Sequence, residues 1–265
     1  MPAMSRFEQL PVALQAALAE RRLLKVIAGL TNFDSAAVER ISRAAGQGGG
    51  DLVDVACDPA LVKLAARASG LPICVSAVDP ELFPAAVAAG ATMVEIGNYD
   101  AFYPQGRIFD AAEVLELTRR SRALLAGVVL SVTVPHVLPL DQQEQLAVEL
   151  VAAGADIIQT EGGTSARPFS AGSLGLIEKA APTLAAAHAI SRALAASPSQ
   201  TSPFQTPVLC ASGLSAVTVP LAIAAGASGV GVGSAVNRLS DPLAMVAAVR
   251  SLRDALGRAL APCLI

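Results

Sequence analysis

The sequence predicts an α/β fold of the (β/α)8 barrel type in a single domain, and three observations carry that expectation. Short β-branched runs alternate eight times with Ala/Leu-rich helical patterns. Three of those helical patterns end in the same phrase, AAGA, at 88–91, 152–155 and 224–227, directly before a strand-like run. A glycine there suits the left-handed conformation that ends a helix and turns the chain into a buried parallel strand. Finally, 265 residues suit one large barrel or two small domains. Eight units are the number that closes a barrel. A doubly wound open sheet is the alternative.

Each element follows from local chemistry. Residues 1–22 read as an additional N-terminal helix packing over the barrel's N-terminal end. The run at 24–29 (LKVIAG) leads through Asp34 to a helix at 35–45, and 52–57 (LVDVAC) leads through Asp58 and Pro59 to 59–69. Next come 72–77 with Asp79 before 81–89, then 92–97 with Asp110 before 111–125. Strand 128–134 precedes Asp141 and helix 142–153; strand 156–161 precedes Ser173 and helix 174–196. The last units pair 207–212 with Ser215 and 216–225, and 229–234 with Asp241 and 242–260. Asp and Ser are expected as caps because their side-chain oxygens accept from the free amides of a first turn. The polar, proline-bearing stretch 196–206 (ASPSQTSPFQT) reads as a flexible spacer between helix and strand.

Composition narrows the function. Apolar residues are 53% of the chain and mean hydropathy is +0.55, yet no apolar run reaches about 18 residues. The N-terminus lacks the apolar core and cleavage site of a secretory signal, so a cytoplasmic location, with no membrane partner, is expected. Cys57, Cys74, Cys210 and Cys263 form no CxxC pair and read as buried inert thiols rather than ligands or disulfides. A net charge of −3 without a basic cluster argues against nucleic acid as the main partner. An Ala-rich exterior is compatible with self-association as a homo-oligomer.

In such barrels the site lies on the loops that follow strands. The phrases Ala211-Ser212-Gly213-Leu214 and Gly231-Val232-Gly233-Ser234-Ala235 end the last two strands. Amides of Gly213, Leu214, Gly233, Ser234 and Ala235 suit a phosphate dianion, with a short helical turn from Ser234 adding its positive end. Glycine lets the anion approach the backbone, or simply permits tight packing where the last strand meets the first. Alternation places Lys25, Asp54, Glu95 and Glu161 on the inward face, where buried polar groups are costly without partners. Glu95, Glu161, His136 and Lys25 are therefore the candidate acid/base groups. Lys25 reads either as an imine or proton-transfer lysine or as half of a structural ion pair with Asp54 or Glu95. His136 reads as an acid/base group or as a loop residue bonded to backbone.

The candidate pocket adds Asp54, Asn98, Tyr99, Tyr103, Gln159, Arg167 and Ser212. The loop 97–109 holds four of the nine aromatics, Tyr99, Phe102, Tyr103 and Phe109, which either pack onto the rim or wall a ligand. The loop 162–172 has the composition of a mobile lid, and Arg167 either closes over an anion or is solvated. No histidine pair or ligand spacing supports a metal.

The phrases LKVIAGLTNFD, PICVSAVDPELF, VEIGNYDAFYPQGRIFD, LSVTVPH, DIIQTEGGTS and ASGLSAVTVPLAIAAGASGVGVGSAVN resemble the "hypothetical chloroplast reading frame twenty-three" family of cyanobacteria and algal plastids. The resemblance runs from about residue 22 to 250. It implies a TIM barrel of the cytosol or plastid stroma in a photosynthetic lineage, and implies no reaction. More distantly, GADIIQTEGGTS and VGSAVNRLSDP are similar to epimerases of N-acylmannosamine phosphate, which use a lysine and a glutamate. LKVIAGLTNFD with DLVDVA is similar to lysine-dependent furan-phosphate and thiazole-phosphate synthases. ASGL followed by GVGVGSA is similar to flavin-mononucleotide (FMN) barrels. Three readings follow: an isomerase, epimerase or lyase/synthase of a phosphorylated metabolite; an FMN-dependent oxidoreductase; or a phosphometabolite sensor acting through a protein partner. The second is favoured if loop 97–109 stacks on a flavin ring.

Overall fold

Parallel pairing of consecutive strands, with the last hydrogen-bonded back to the first, closes the sheet into the expected eight-stranded barrel. The computed structural model describes residues 6–162, 166–197 and 205–259. After a 3-10 turn (Arg6–Gln9) and α1 (Val12–Ala19), the chain runs β1 (Leu23–Gly29), α2 (Ser35–Gly48), β2 (Leu52–Ala56) and α3 (Pro59–Ser69). It continues with β3 (Ile73–Ala77), α4 (Phe83–Ala88), β4 (Met93–Ile96), α5 (Ala111–Leu124), β5 (Val129–Thr133) and α6 (Leu140–Ala152). Then follow β6 (Ile157–Gln159), α7 (Gly172–Ala196), β7 (Val208–Ala211), α8 (Val219–Ala224), β8 (Gly229–Val232), α9 (Ser234–Asn237) and α10 (Pro242–Ala259). No helix among the described residues is long and apolar enough to cross a membrane.

Asp34, Asp58, Asp79 and Asp110 accept from first-turn amides as their spacing predicts, and Asp241 accepts from Leu243 N at 3.0 Å. Three expected caps do not act so. Helix α6 begins behind Pro139, leaving Asp141 in the first turn, and α7 begins behind Ala171, ahead of Ser173. Ser215 starts a turn closed by the Thr218 hydroxyl, so α8 begins later than expected. Gly90, Gly154 and Gly226 of the AAGA phrases all have φ near +110°, the conformation that ends each helix without a side-chain penalty. Of the spacer 196–206, residues 198–204 lie outside the described residues, as do Cys263 and residues 163–165 of the expected lid. Cys74 and Cys210 are buried and unbridged.

The interior is layered. Leu23, Leu52, Met93, Val129, Ile157 and Leu209 form an apolar floor with Cys74, sealed from below by Leu10, Leu14, Ala17 and Leu18. The N-terminal segment thus plugs the barrel, each buried leucine contributing about 1.5–3 kcal/mol. Asp156 fastens that end, accepting from Arg6 Nε at 2.8 Å, Arg122 Nη2 at 2.7 Å and Leu130 N at 2.9 Å. One layer up, the inward residues are polar: Lys25, Asp54, Ser76, Glu95, Ser131 and Gln159, each at most 2% exposed. Above them opens the C-terminal face. Outside the strands, a second and larger apolar core packs the helices onto the barrel.

Candidate active site

A cavity of about 200 Å³ opens at the C-terminal face. Its deep wall is β6, β7 and β8, where Gln159, Ala211 and Gly231 face inward. Two non-glycine residues in its lining have left-handed backbones, Asn98 (φ 69°) and Ser212 (φ 75°), a strain that persists where the surroundings over-determine the conformation. For Ser212 the anchor is visible, because its hydroxyl donates to Asp100 Oδ2 at 2.8 Å.

One end of the cavity is a ring of amides. Gly213, Leu214, Gly233, Ser234 and Ala235 all line it, and among the described residues their N–H groups donate to no protein acceptor. Gly213 takes φ 73°, where a Cβ is disfavoured. The glycines of β8 divide by role. A Cβ on Gly229 would lie 2.5 Å from Leu23 Cβ and one on Gly231 2.9 Å from Ala211 Cβ, so these permit strand packing. A Cβ on Gly233 would meet nothing closer than 3.4 Å, ordinary contact with Ile27 and Asn237, so strand packing does not require glycine there. Two cations also line the cavity, Lys179 on α7 and Arg238 after α9. Neither has a carboxylate partner among the described residues.

Glu161 and Asp100 also line the cavity, and against them, outside the lining residues, sits His136. Glu161 is 3% exposed. Its Oε1 accepts from Tyr103 Oη at 2.5 Å and from His136 N at 3.2 Å, and its Oε2 accepts from Asp100 N at 3.3 Å. His136 Nε2 lies 3.1 Å from Asp100 Oδ1. Burial, reinforced by the Asp100 charge, pushes the Glu161 carboxyl up to about 7 against the pull of Tyr103 and His136. Burial opposes the charged form of His136, but its bond to Asp100 and the charge of Glu161 together hold it above its ordinary value. Asp100, His136 and Glu161 also bring one ligand atom each to within 4.8 Å of one another, a geometry no spacing in the sequence announces. The Glu161 carboxylate and the His136–Asp100 contact in that cluster are held by hydrogen bonds of the protein itself, an arrangement suited to proton transfer.

The remaining sequence candidates are distributed unevenly. Glu95, expected at a strand end, sits one layer below the cavity and accepts from Lys25 Nζ at 2.6 Å, Ser131 Oγ at 2.8 Å and Gln159 Nε2 at 2.7 Å. Lys25 also lies 3.7 Å from Asp54 Oδ2. Burial lowers the Lys25 ammonium's proton affinity, but Glu95 and Asp54 outweigh it and the net shift is upward. Burial and the charge of Glu95 raise the Asp54 carboxyl. The ion-pair reading of Lys25 is therefore the one its geometry matches; Lys25, Asp54 and Glu95 do not line the cavity. Nor does Tyr99, whose ring packs 4.6 Å from Phe109 in the outer core. Phe102 packs edge-on to Phe109, Tyr103 edge-on to His136, and Arg107 stacks over Phe109. Among the described residues no aromatic ring lines the cavity. Arg167 is exposed and stands away from it.

Sequence reading missed Asp100, Lys179 and Arg238. Lys179 carried a signal, being one of three lysines beside sixteen arginines. Asp100 sat unremarked within the aromatic loop.

A family model described as "Protein of unknown function (DUF561)" matches residues 10–261. The "Uncharacterized protein ycf23" of Cyanophora paradoxa is 40% identical over 203 residues, covering 76% of this chain and 79% of that protein. Its namesake from Pyropia yezoensis is 36% identical over 199 residues, covering 75% and 69%. Among solved structures, 3-hexulose-6-phosphate synthase from Salmonella typhimurium superposes with a TM-score of 0.59 at 17% identity, covering 89% of this chain and 99% of that one. Thiamine phosphate pyrophosphorylase from Pyrococcus furiosus gives 0.56 at 16%, covering 92% and 100%. At such identities these two likenesses speak to the barrel alone.

Proposed function

The chain belongs to the family of proteins of unknown function designated DUF561, and from that premise we propose that it is an enzyme moving a proton on a small phosphate monoester. The observation that carries the reading is the polarity of the cavity. Its lining combines five amides that have no protein acceptor among the described residues, the cations Lys179 and Arg238, and the buried Glu161 carboxyl raised to about 7. Oriented amides and cations suit a phosphate dianion. A carboxyl at about 7 suits both removal and return of a proton at neutral pH. Glu161 is then the acid/base group. His136, tied to Asp100, is positioned to steady charge that develops beside it. Proton transfer at a carbon beside a carbonyl makes isomerisation or epimerisation the reaction class. The buried state of Lys25 disfavours an imine there.

Names of the superposed proteins, a hexulose-6-phosphate synthase and a thiamine phosphate pyrophosphorylase, are in keeping with a phosphorylated ligand. A flavin fits the residues less well, since no ring among the described cavity walls would stack on it. The resemblance supports the cytosol or plastid stroma as the place of action.

Thermal melting tests the reading. A ligand at a hundred times its Kd adds about 2.7 kcal/mol, a rise on the order of 5 °C for a chain of this size. Inorganic phosphate or sugar phosphates should raise the melting temperature. Gly233→Asp, whose Cβ would make only ordinary contacts and whose carboxylate would stand at the amide ring, should fold and lose the rise. If no phosphate compound shifts the wild-type protein, the reading fails.

A further inference from the structure

Gln159 lines the cavity floor, and its side-chain amide is held in one orientation from below. Nε2 donates to Glu95 Oε1 at 2.7 Å and to Thr133 Oγ1 at 3.3 Å. Turning the amide over would set its oxygen against the Glu95 carboxylate, so acceptor would face acceptor. Glu95 is itself anchored by Lys25 and Ser131. The carbonyl Oε1 is therefore left on the other side, buried and without a donor. It lies beside Gly231, where a Cβ would stand 3.4 Å from it. Gly231 itself lines the cavity. A buried acceptor without a donor is costly, and few are left in native proteins without a reason.

We infer that this acceptor is completed by the ligand: the site takes a phosphate monoester carrying hydroxyl groups, one of which donates to Gln159 Oε1 while the phosphate occupies the amide ring. This deepens the proposed function and rests on it. In this arrangement Lys25 and Glu95 are positioning residues, fixing which end of the Gln159 amide the ligand meets. The buried ion pair then has a use that stability alone does not require, since such pairs are often replaceable by apolar residues.

The test is calorimetric titration with matched probes: glycerol 3-phosphate against n-propyl phosphate, ribose 5-phosphate against n-pentyl phosphate, and inorganic phosphate as reference. Wild-type protein should bind at least one hydroxylated probe about tenfold or more tightly than its alkyl counterpart. Gln159→Met should bind the two members of that pair within about threefold of each other. The double variant K25M/E95Q removes both charges together, keeps the interior filled, and frees the amide to turn; it should lose most of the preference. Should Gln159→Met fail to fold, the double variant decides. Equal binding of hydroxylated and alkyl probes by the wild type overturns the inference while leaving phosphate recognition standing. Full preference retained in Gln159→Met overturns it too, and full preference in K25M/E95Q overturns the positioning role. Absence of binding by every probe, inorganic phosphate included, overturns this inference together with the proposed function.

Discussion

In the proposed function Glu161 is the side chain on which proton transfer rests. An acid whose native pKa is raised keeps its proton in the folded state after the unfolded chain has released it. Its stabilising contribution is therefore complete below about pH 4 and lost as pH climbs to about 7. His136, also raised, acts in the same direction at the upper end: its contribution is present below its ordinary value and lost above the raised one. The melting temperature should accordingly fall between pH 5 and 8, and fall less in Glu161→Gln; equal slopes would remove the raised carboxyl from the account. The same variant should abolish exchange of deuterium from heavy water into any sugar phosphate that the wild type labels, read by mass spectrometry. Glu161 was legible in the sequence because alternation from Ile157 through Gln159 points it inward. The depth of Glu95 was not. Alternation tells a side chain's face, whereas its layer depends on the register of β4 against β3 and β5, which pairs Glu95 with Ser76 and Ser131. Asp100 was invisible for a related reason, since its role exists only where Ser212 and His136, from two other loops, come to meet it.

At the level of elements, the first helix closes the apolar floor that the strands leave at the barrel's lower end. Leu14, 2% exposed, sits in the apolar floor. Truncating it to alanine removes transfer free energy and leaves a cavity, a loss of about 2–5 kcal/mol, measurable as a lower midpoint in urea. A loss below 0.5 kcal/mol would mean the plug is peripheral. The extra helix was readable from its pattern, and so were the strands, because β-branched runs between glycine-ended helices admit few alternatives. Helix starts were readable where aspartate stood at the right offset. They failed at Ser215, where the hydroxyl of Thr218 closes a turn of its own first, and at Pro139, whose ring begins α6 without a side-chain cap.

Across the whole molecule, eightfold alternation was enough to specify a closed parallel barrel, and the amides after β7 and β8 were expected to face a site, as they face the cavity. The cations were not, since Lys179 and Arg238 reach the cavity from α7 and from beyond α9, elements whose rotation no pattern in the chain discloses. The architecture separates work by height: an apolar stopper at one end, an ion-paired middle, and an open mouth.

That layering turns the scarcity of lysine into a built-in reporter. Lys25 is sealed in the middle layer, Lys63 is exposed on α3, and Lys179 borders the mouth. An amine-acylating reagent followed by peptide mass mapping should mark Lys63 quickly and Lys179 at a rate that phosphate slows. Lys25 should be marked only as fast as the barrel itself opens, so three amines would time three events in one experiment: exposure, occupancy and global unfolding.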